Sequence, residues 1–167
     1  CLATAGDQFD QALIQYVRQH HDLLIGARTA QAVKEAIGQV AGEGEESAAV
    51  KGRCLTSGLP RQITLTAQET AEAFAPVAEV IVAAVHRVLE RTPPELAADV
   101  AESGLLLTGG GSLLRGLDTL LAQRTGMEAH VAAAPIQSVA LGLLETLPDL
   151  SKRKEGVLHL ARRQWSL

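Results

Sequence analysis

Cysteine is scarce in this sequence: only Cys1 and Cys54 occur, far apart and outside any metal-ligand spacing. That excludes a disulfide framework and a zinc site, and it points to a reducing, cytoplasmic setting. A basic footprint is also missing, since 15 Lys+Arg are outnumbered by 19 Asp+Glu for a net charge of -4. No nucleic-acid partner is expected, because neutralising phosphates needs a positive surface. No apolar stretch reaches the roughly 18 residues of a membrane span, and the longest apolar helical pattern is interrupted by Glu79 and His86. Signal peptide, initiator methionine, internal repeats and low-complexity segments are absent too, apart from enrichment in alanine. The chain opens on Cys1-Leu2-Ala3-Thr4, which reads as the end of a strand cut mid-domain and predicts a fragment.

What is present is a 167-residue chain with 47% hydrophobic residues, enough for one compact domain or two small subdomains with a real core. Charge is unevenly placed. Residues 1 to 150 carry 10 Lys/Arg against 18 Asp/Glu, whereas residues 151 to 167 carry five basic residues against Glu155 alone. The tail is a separate electrostatic object.

Periodicity places the elements. From Gly6, the residues Phe9, Ala12, Leu13, Tyr16 and Val17 form one helical stripe, with Asp7 and Asp10 near the positive end of the dipole. A second helix is expected over Ala27 to Ile37, with Ala30, Val33, Ala36 and Ile37 inward and Gly38 as its stop. Polar "GEGEES" follows as a loop, then β-prone runs at Ala48 to Leu55 and Gln62 to Leu65 around "TSGLP" predict a hairpin. Thr66 and Glu69 form a capping box for a long helix from 67 to about 91. Its apolar face is Phe74, Val77, Ala78, Ile81, Val85, Val88 and Leu89, with a kink expected at Pro76 and an end at "TPPEL". "GLLLTGGG" reads as a buried strand entering a glycine turn, and "SLLRGLDTLLAQRTG" as a helix with Leu113, Leu117, Leu120 and Leu121 inward. "MEAHVAAA" reads as a short strand, and a last helix begins after Pro135 and runs to about Leu147. The order gives an α/β class with a parallel sheet in the second half.

The chemistry centres on Thr108-Gly109-Gly110-Gly111. A strand ending in a glycine turn that opens a helix can set bare backbone against a nucleotide at the carboxyl edge of a sheet. The turn matches neither the G-x-G-x-x-G nor the Walker pattern. The structural alternative is a tight turn whose glycines let the helix pack close to the sheet, and on pattern alone both stay open. Asp7 and Asp10 are read as structural, since acidic residues at a helix start more often complement the dipole than hold a metal. No residue is assigned a catalytic or metal-binding role.

Four ordered blocks resemble the MreB/Mbl family of bacterial actin homologues, over about Ala5 to Gly142. They are "AGDQFDQALIQYVRQHHDLLIG", "TAQAVKEAIG", "VKGRCLTSGLPRQITLT" and "RTPPELAADVAESGLLLTGGGSLLRGLD". Sugar kinases and chaperone ATPases of the same superfamily share the glycine turn, but the hairpin and the last block look like the shape-determining family. A nucleotide-free remnant that binds filaments is a third reading.

The resemblance implies an actin-like (ribonuclease H-like) lobe, here the second of two lobes that close on ATP or ADP with Mg²⁺ and assemble into filaments at the bacterial inner membrane. In that frame 1–21 and 66–150 form the larger α/β subdomain, 22–65 a small inserted α+β subdomain with the hairpin, and 151–167 a basic tail. Thr108, Gly109, Gly110 and Gly111 would pass under the adenosine, opposite Gln31 and Lys34, with Gly6 near the cleft between lobes. The family's glutamate is Gln31 here, which keeps an acceptor and loses a charge. Phosphate-gripping turns, Mg²⁺-associated aspartates and the water-positioning glutamate belong to the missing first lobe, so this chain alone is expected to lack ATPase activity.

Expected partners are other copies of the protein in a filament, the N-terminal lobe and membrane-associated morphogenesis proteins. The cytoplasm is the expected location, at the periphery of the inner membrane. The chain departs from the family at Ala134, where an aspartate is usual, and at Leu143 and Leu144 after Gly142, where small residues are usual; these changes mark a divergent member. The tail has no family equivalent. As a helix it would group Val157, Leu158, Ala161 and Trp165 amid basic residues and suit an anionic membrane surface, although a solvated terminus is the commoner role of such a tail.

Overall fold

The structure is a computed structural model that describes residues 6–42 and 44–150, with the side chains of 146–150 excepted. The opening strand fragment and the basic tail read from the sequence lie outside the described residues. The order is α1 (Gly6–His21), β1 (Leu23–Leu24), α2 (Ala27–Ile37), β2 (Ser47–Cys54), β3 (Pro60–Thr66) and α3 (Ala67–Leu89). Then come α4 (Pro94–Ser103), β4 (Leu105–Leu107), a 3₁₀ turn (Gly110–Leu113), α5 (Leu117–Thr125), β5 (Ala129–Val131) and α6 (Ser138–Leu150). No helix among the described residues is long and apolar enough to cross a membrane.

The stripe on α1 does what its spacing dictates: Phe9, Leu13 and Val17 are buried. They meet Ala73 and Phe74 of α3 and Val33 and Ile37 of α2, with Leu23, Val50 and Leu65 of the first sheet closing the same core. Phe9 and Phe74 touch edge to face, with centroids 5.2 Å apart and planes at 82°, the arrangement that aligns one ring's positive edge with the other's negative face. β1, β2 and β3 form an antiparallel sheet in which Val50 faces Ile63. The hairpin turns at Gly58, whose φ of +72 suits a residue without a side chain.

The return from the sheet into α3 is capped on both sides. The Thr66 hydroxyl accepts from the Glu69 N–H at 3.3 Å, and Glu69 Oε2 accepts from the Thr66 N–H at 2.8 Å, the reciprocal arrangement that satisfies two orphan donors. Glu69 Oε1 also meets His21 Nε2 at 2.7 Å, joining the end of α1 to the start of α3. The Arg61 guanidinium donates to the His21 carbonyl at the same corner, and the next residue, Asp22, takes an αL φ of +49. Partial burial pushes the Glu69 carboxyl up, but hydrogen bonds from Thr66 and His21, together with the His21 charge, outweigh it and hold the carboxyl below its usual value.

Several expectations change. Pro76 lies inside α3 and does not end it. Val88 is 66% exposed, whereas Val82, outside the expected stripe, is buried. Ala36 is exposed, because the turn of α2 that carries it faces away from Val33 and Ile37. The glycine turn does not run straight into a helix: Gly116 adopts a left-handed φ of +76 and α5 begins at Leu117. That break shifts the phase, so Leu114 points inward and Leu113 is 54% exposed. Helix α4 and strand β1 were not foreseen.

β4 and β5 pair in parallel, as the β-α-β order requires, with Leu105 opposite Ala129 and Leu107 opposite Val131. Leu107 and Ala129 pack toward Val82, Leu117 and Leu121. β4 is nevertheless not buried on both faces as expected. Leu106, on the opposite face, is 70% exposed, and α4 buries no side chain. Among the described residues, α3 and α5, with Val40, cover this pair from one side.

Replacing fully buried Phe74 by alanine is expected to cost about 3–5 kcal/mol of unfolding free energy in urea titrations, whereas Val88→Ala changes it by less than about 0.5 kcal/mol. Because the folded Glu69 carboxyl is lowered, its stabilisation is complete above the unfolded value of about 4.3 and is lost as pH falls through the folded value. Urea midpoints followed from neutral pH to about pH 3 should therefore drop less steeply for Glu69→Gln than for the unaltered chain.

Candidate functional site

A cleft of about 640 Å³ opens between the start of α1, the outer face of α2 and the 3₁₀ turn after β4. Gly6, Gln31, Lys34, Gly110 and Gly111, five of the seven residues singled out in the sequence, line it. Thr108 and Gly109 do not; they form the approach. The Gly109 N–H is held by the Pro135 carbonyl at 2.7 Å, at a φ of +81. Buried Ser112 fastens the turn by donating its hydroxyl hydrogen to the Gly109 carbonyl at 2.7 Å.

The glycines divide into two kinds. A Cβ added at Gly109, Gly110 or Gly111 would meet nothing within 4 Å. These glycines therefore do not serve close helix packing; they leave space empty. Gly116 serves packing instead, because a Cβ there would collide with the Ala41 carbonyl oxygen. The structural alternative weighed for the triple glycine thus applies to its neighbour.

The facing wall is built from α2. Gln31 donates its amide N–H to Glu35 Oε1 at 2.9 Å, which leaves its own Oε1 as an acceptor. Lys34 pairs with Asp10 at 2.8 Å and donates to the Gly6 carbonyl at 3.0 Å. Asp10, expected to complement the helix dipole, sits one turn inside α1 and is instead the buried counter-ion of this lysine. Glu35 and Arg115 also line the cleft, and sequence reasoning missed both. The signals were there: Glu35 is four residues from Gln31, and Arg115 precedes the glycine that breaks the helix.

Arg115 ties the two walls together. Its guanidinium donates to Glu46 at 2.6 Å and to the Ala36 carbonyl at 3.0 Å, while its own carbonyl accepts from Val40 at 2.9 Å. The clearly shifted acids and bases lie elsewhere. Tyr16 is pushed up to about 12 by partial burial and its hydrogen bond to Glu72. Cys54 is brought down to about 6 by hydrogen bonds from Ser57 and Thr56.

These walls fit an uncharged, flat, polar molecule such as a nucleoside: bare backbone on one side, and a lysine donor with an amide acceptor on the other. Among the described residues no three His, Cys, Asp or Glu side chains are grouped as a metal ion requires.

A family model described as MreB/Mbl protein matches residues 1–155. The chain belongs to the MreB/Mbl family. It is 44% identical to the cell shape-determining protein Mbl of Bacillus subtilis over 157 residues, covering 92% of this chain and 47% of that protein. It is 46% identical to the cell shape-determining protein MreB of Escherichia coli K12 over 138 residues, covering 82% of this chain and 40% of that one. This MreB/Mbl chain therefore spans about half the length of the curated relatives it matches.

MreB5 of Spiroplasma citri, solved with AMPPNP and with ADP, superposes with a TM-score of 0.88 at 30% identity over 90% of this chain and 46% of its own. The MamK double helical filament shares the fold, with a TM-score of 0.67 at 24% identity over 81% of this chain and 42% of its own. The fold is actin-like.

Gly116→Ala is expected to lower stability by at least about 1 kcal/mol, from its positive φ and the Ala41 carbonyl. Gly110→Ala should stay within about 0.5 kcal/mol. Thermal unfolding of the two variants distinguishes the packing glycine from the one that only keeps space open.

Proposed function

We propose that this chain is the C-terminal half of an ATP-binding, filament-forming cytoskeletal protein that determines cell shape, and that its cleft is the adenosine-binding wall. The observation that carries the reading is the open space above Gly110 and Gly111, facing Gln31 and Lys34 across the cleft. A side chain on the turn would occupy the volume a base and sugar need. Support for the ligand class comes from MreB5, solved with AMPPNP and with ADP.

Within this reading, residues 1–21 and 66–150 act as the larger subdomain and 22–65 as the inserted one, with Thr108 and Gly109 leading the backbone under the ribose. Lys34 donates to a ribose hydroxyl, Gln31 accepts from it, and Gly6 lets α1 begin at the edge of the cleft. Mg²⁺ bound to the nucleotide would neutralise phosphate charge, and its ligands, with the phosphate-binding turns, belong to a preceding half of the protein. The partners are that half and further copies in a filament, consistent with the filament formed by MamK. The working location is the cytoplasm, at the face of the inner membrane.

The chain by itself is expected to bind adenosine weakly, with a Kd near about 1 mM, and to hydrolyse no ATP. Gly110→Val should abolish binding in an NMR titration while leaving the melting temperature unchanged. Adenosine affinity that persists in Gly110→Val overturns the proposal, and ATP hydrolysis that this change eliminates overturns the assignment of the phosphate chemistry to another half of the protein.

A further inference from the structure

Lys34 is a long, flexible side chain on α2 that would ordinarily extend into water, yet its ammonium is fixed at the start of α1, 2.8 Å from Asp10 Oδ1 and 3.0 Å from the Gly6 carbonyl. Both partners are sheltered, with the Lys34 and Asp10 side chains 17% and 12% exposed. Among the described residues, no hydrogen-bond donor besides this ammonium serves the buried Asp10 Oδ1. Two of the three lysine N–H groups are engaged, and one remains for whatever enters the cleft that Lys34 lines.

We propose that Asp10 is a positioning residue of the cleft, which acts on a bound nucleoside through Lys34. The assignment rests on the adenosine reading above. Asp10 performs two tasks at once. It fixes the ammonium at one place in the wall, so the remaining N–H needs no ordering when a ligand hydroxyl arrives. It also cancels the lysine charge.

The charged lining is Asp7, Asp10 and Glu35 against Lys34 and Arg115, and Arg115 is already engaged by Glu46. With Lys34 answered by Asp10, the described residues of the wall include no uncompensated cation to draw a phosphate, and what they offer is a hydrogen-bond donor suited to a neutral sugar. Without Asp10, the ammonium is released toward Glu35, Asp7 or solvent.

The test combines adenosine titrations with the reactivity of Lys34. In the 167-residue chain, acylation by an amine-reactive ester, read by mass spectrometry, should modify Lys34 at least about tenfold more slowly than exposed Lys51. Asp10→Asn should bring the two rates to within about twofold of each other.

Adenosine affinity should fall about tenfold in Asp10→Asn and about tenfold in Lys34→Met, and the double variant should be no weaker than Lys34→Met alone, because both changes remove the same contact. Asp10→Glu, which keeps the charge, should retain more affinity than Asp10→Asn. A merely structural aspartate would lower the melting temperature without this non-additivity. Equal modification of Lys34 and Lys51 in the unaltered chain overturns the proposal without any variant having to fold. Unchanged affinity in Asp10→Asn, or a further loss when it is added to Lys34→Met, overturns it as well. No adenosine binding to the unaltered chain, with Lys34 still protected, refutes the adenosine reading and the positioning role that depends on it.

Discussion

The edge-to-face contact of Phe9 with Phe74 is the constraint on which the other elements depend. It locks α1 against α3, and between those two helices the chain makes its excursion through β1, α2 and the hairpin. Because the helices are fixed, the excursion leaves and returns at one corner, where His21, Thr66 and Glu69 are joined. The position of α2 follows: Val33 and Ile37 fill the same core as Phe9, and that leaves Gln31, Lys34 and Glu35 on the outer face. One hydrophobic contact thereby decides which polar side chains face the cleft.

Much of this was legible because local and tertiary signals agreed. The α1 stripe, the limits of α2, the hairpin and the Thr66–Glu69 box are each specified by neighbouring residues, and each appears where the pattern placed it. The failures arise where a distant contact decides. Leu113 and Leu114 are interchangeable to a periodicity argument, and it was the αL turn at Gly116, packed against the Ala41 carbonyl, that chose Leu114. The apolar run of β4 implied burial on both faces, but among the described residues only one face has a neighbour, and Leu106 is left to solvent.

The site was half legible for a similar reason. Glycine content announced that something required space, but could not say whether a helix or a ligand would fill it; the empty surroundings of Gly109, Gly110 and Gly111 separate these three from Gly116 and Gly104, whose added Cβ atoms would strike carbonyls. Lys34 was found through its block, whereas Asp10 was assigned to the helix dipole because the sequence does not reveal that α2 crosses the start of α1. Arg115 escaped notice since its partners, Glu46 and Ala36, are remote in sequence.

Arg115 also determines what kind of opening this is. Its guanidinium holds the end of α2 and the loop leading into β2, its carbonyl holds Val40, and the glycine turn lies immediately before it in the chain. The two walls are thus spliced together at their base. A jaw would need them to swing apart, and the splice opposes that. The gap between them is braced at its base like a keyway, so any narrowing of it has to come from a part of the protein that approaches from outside these walls.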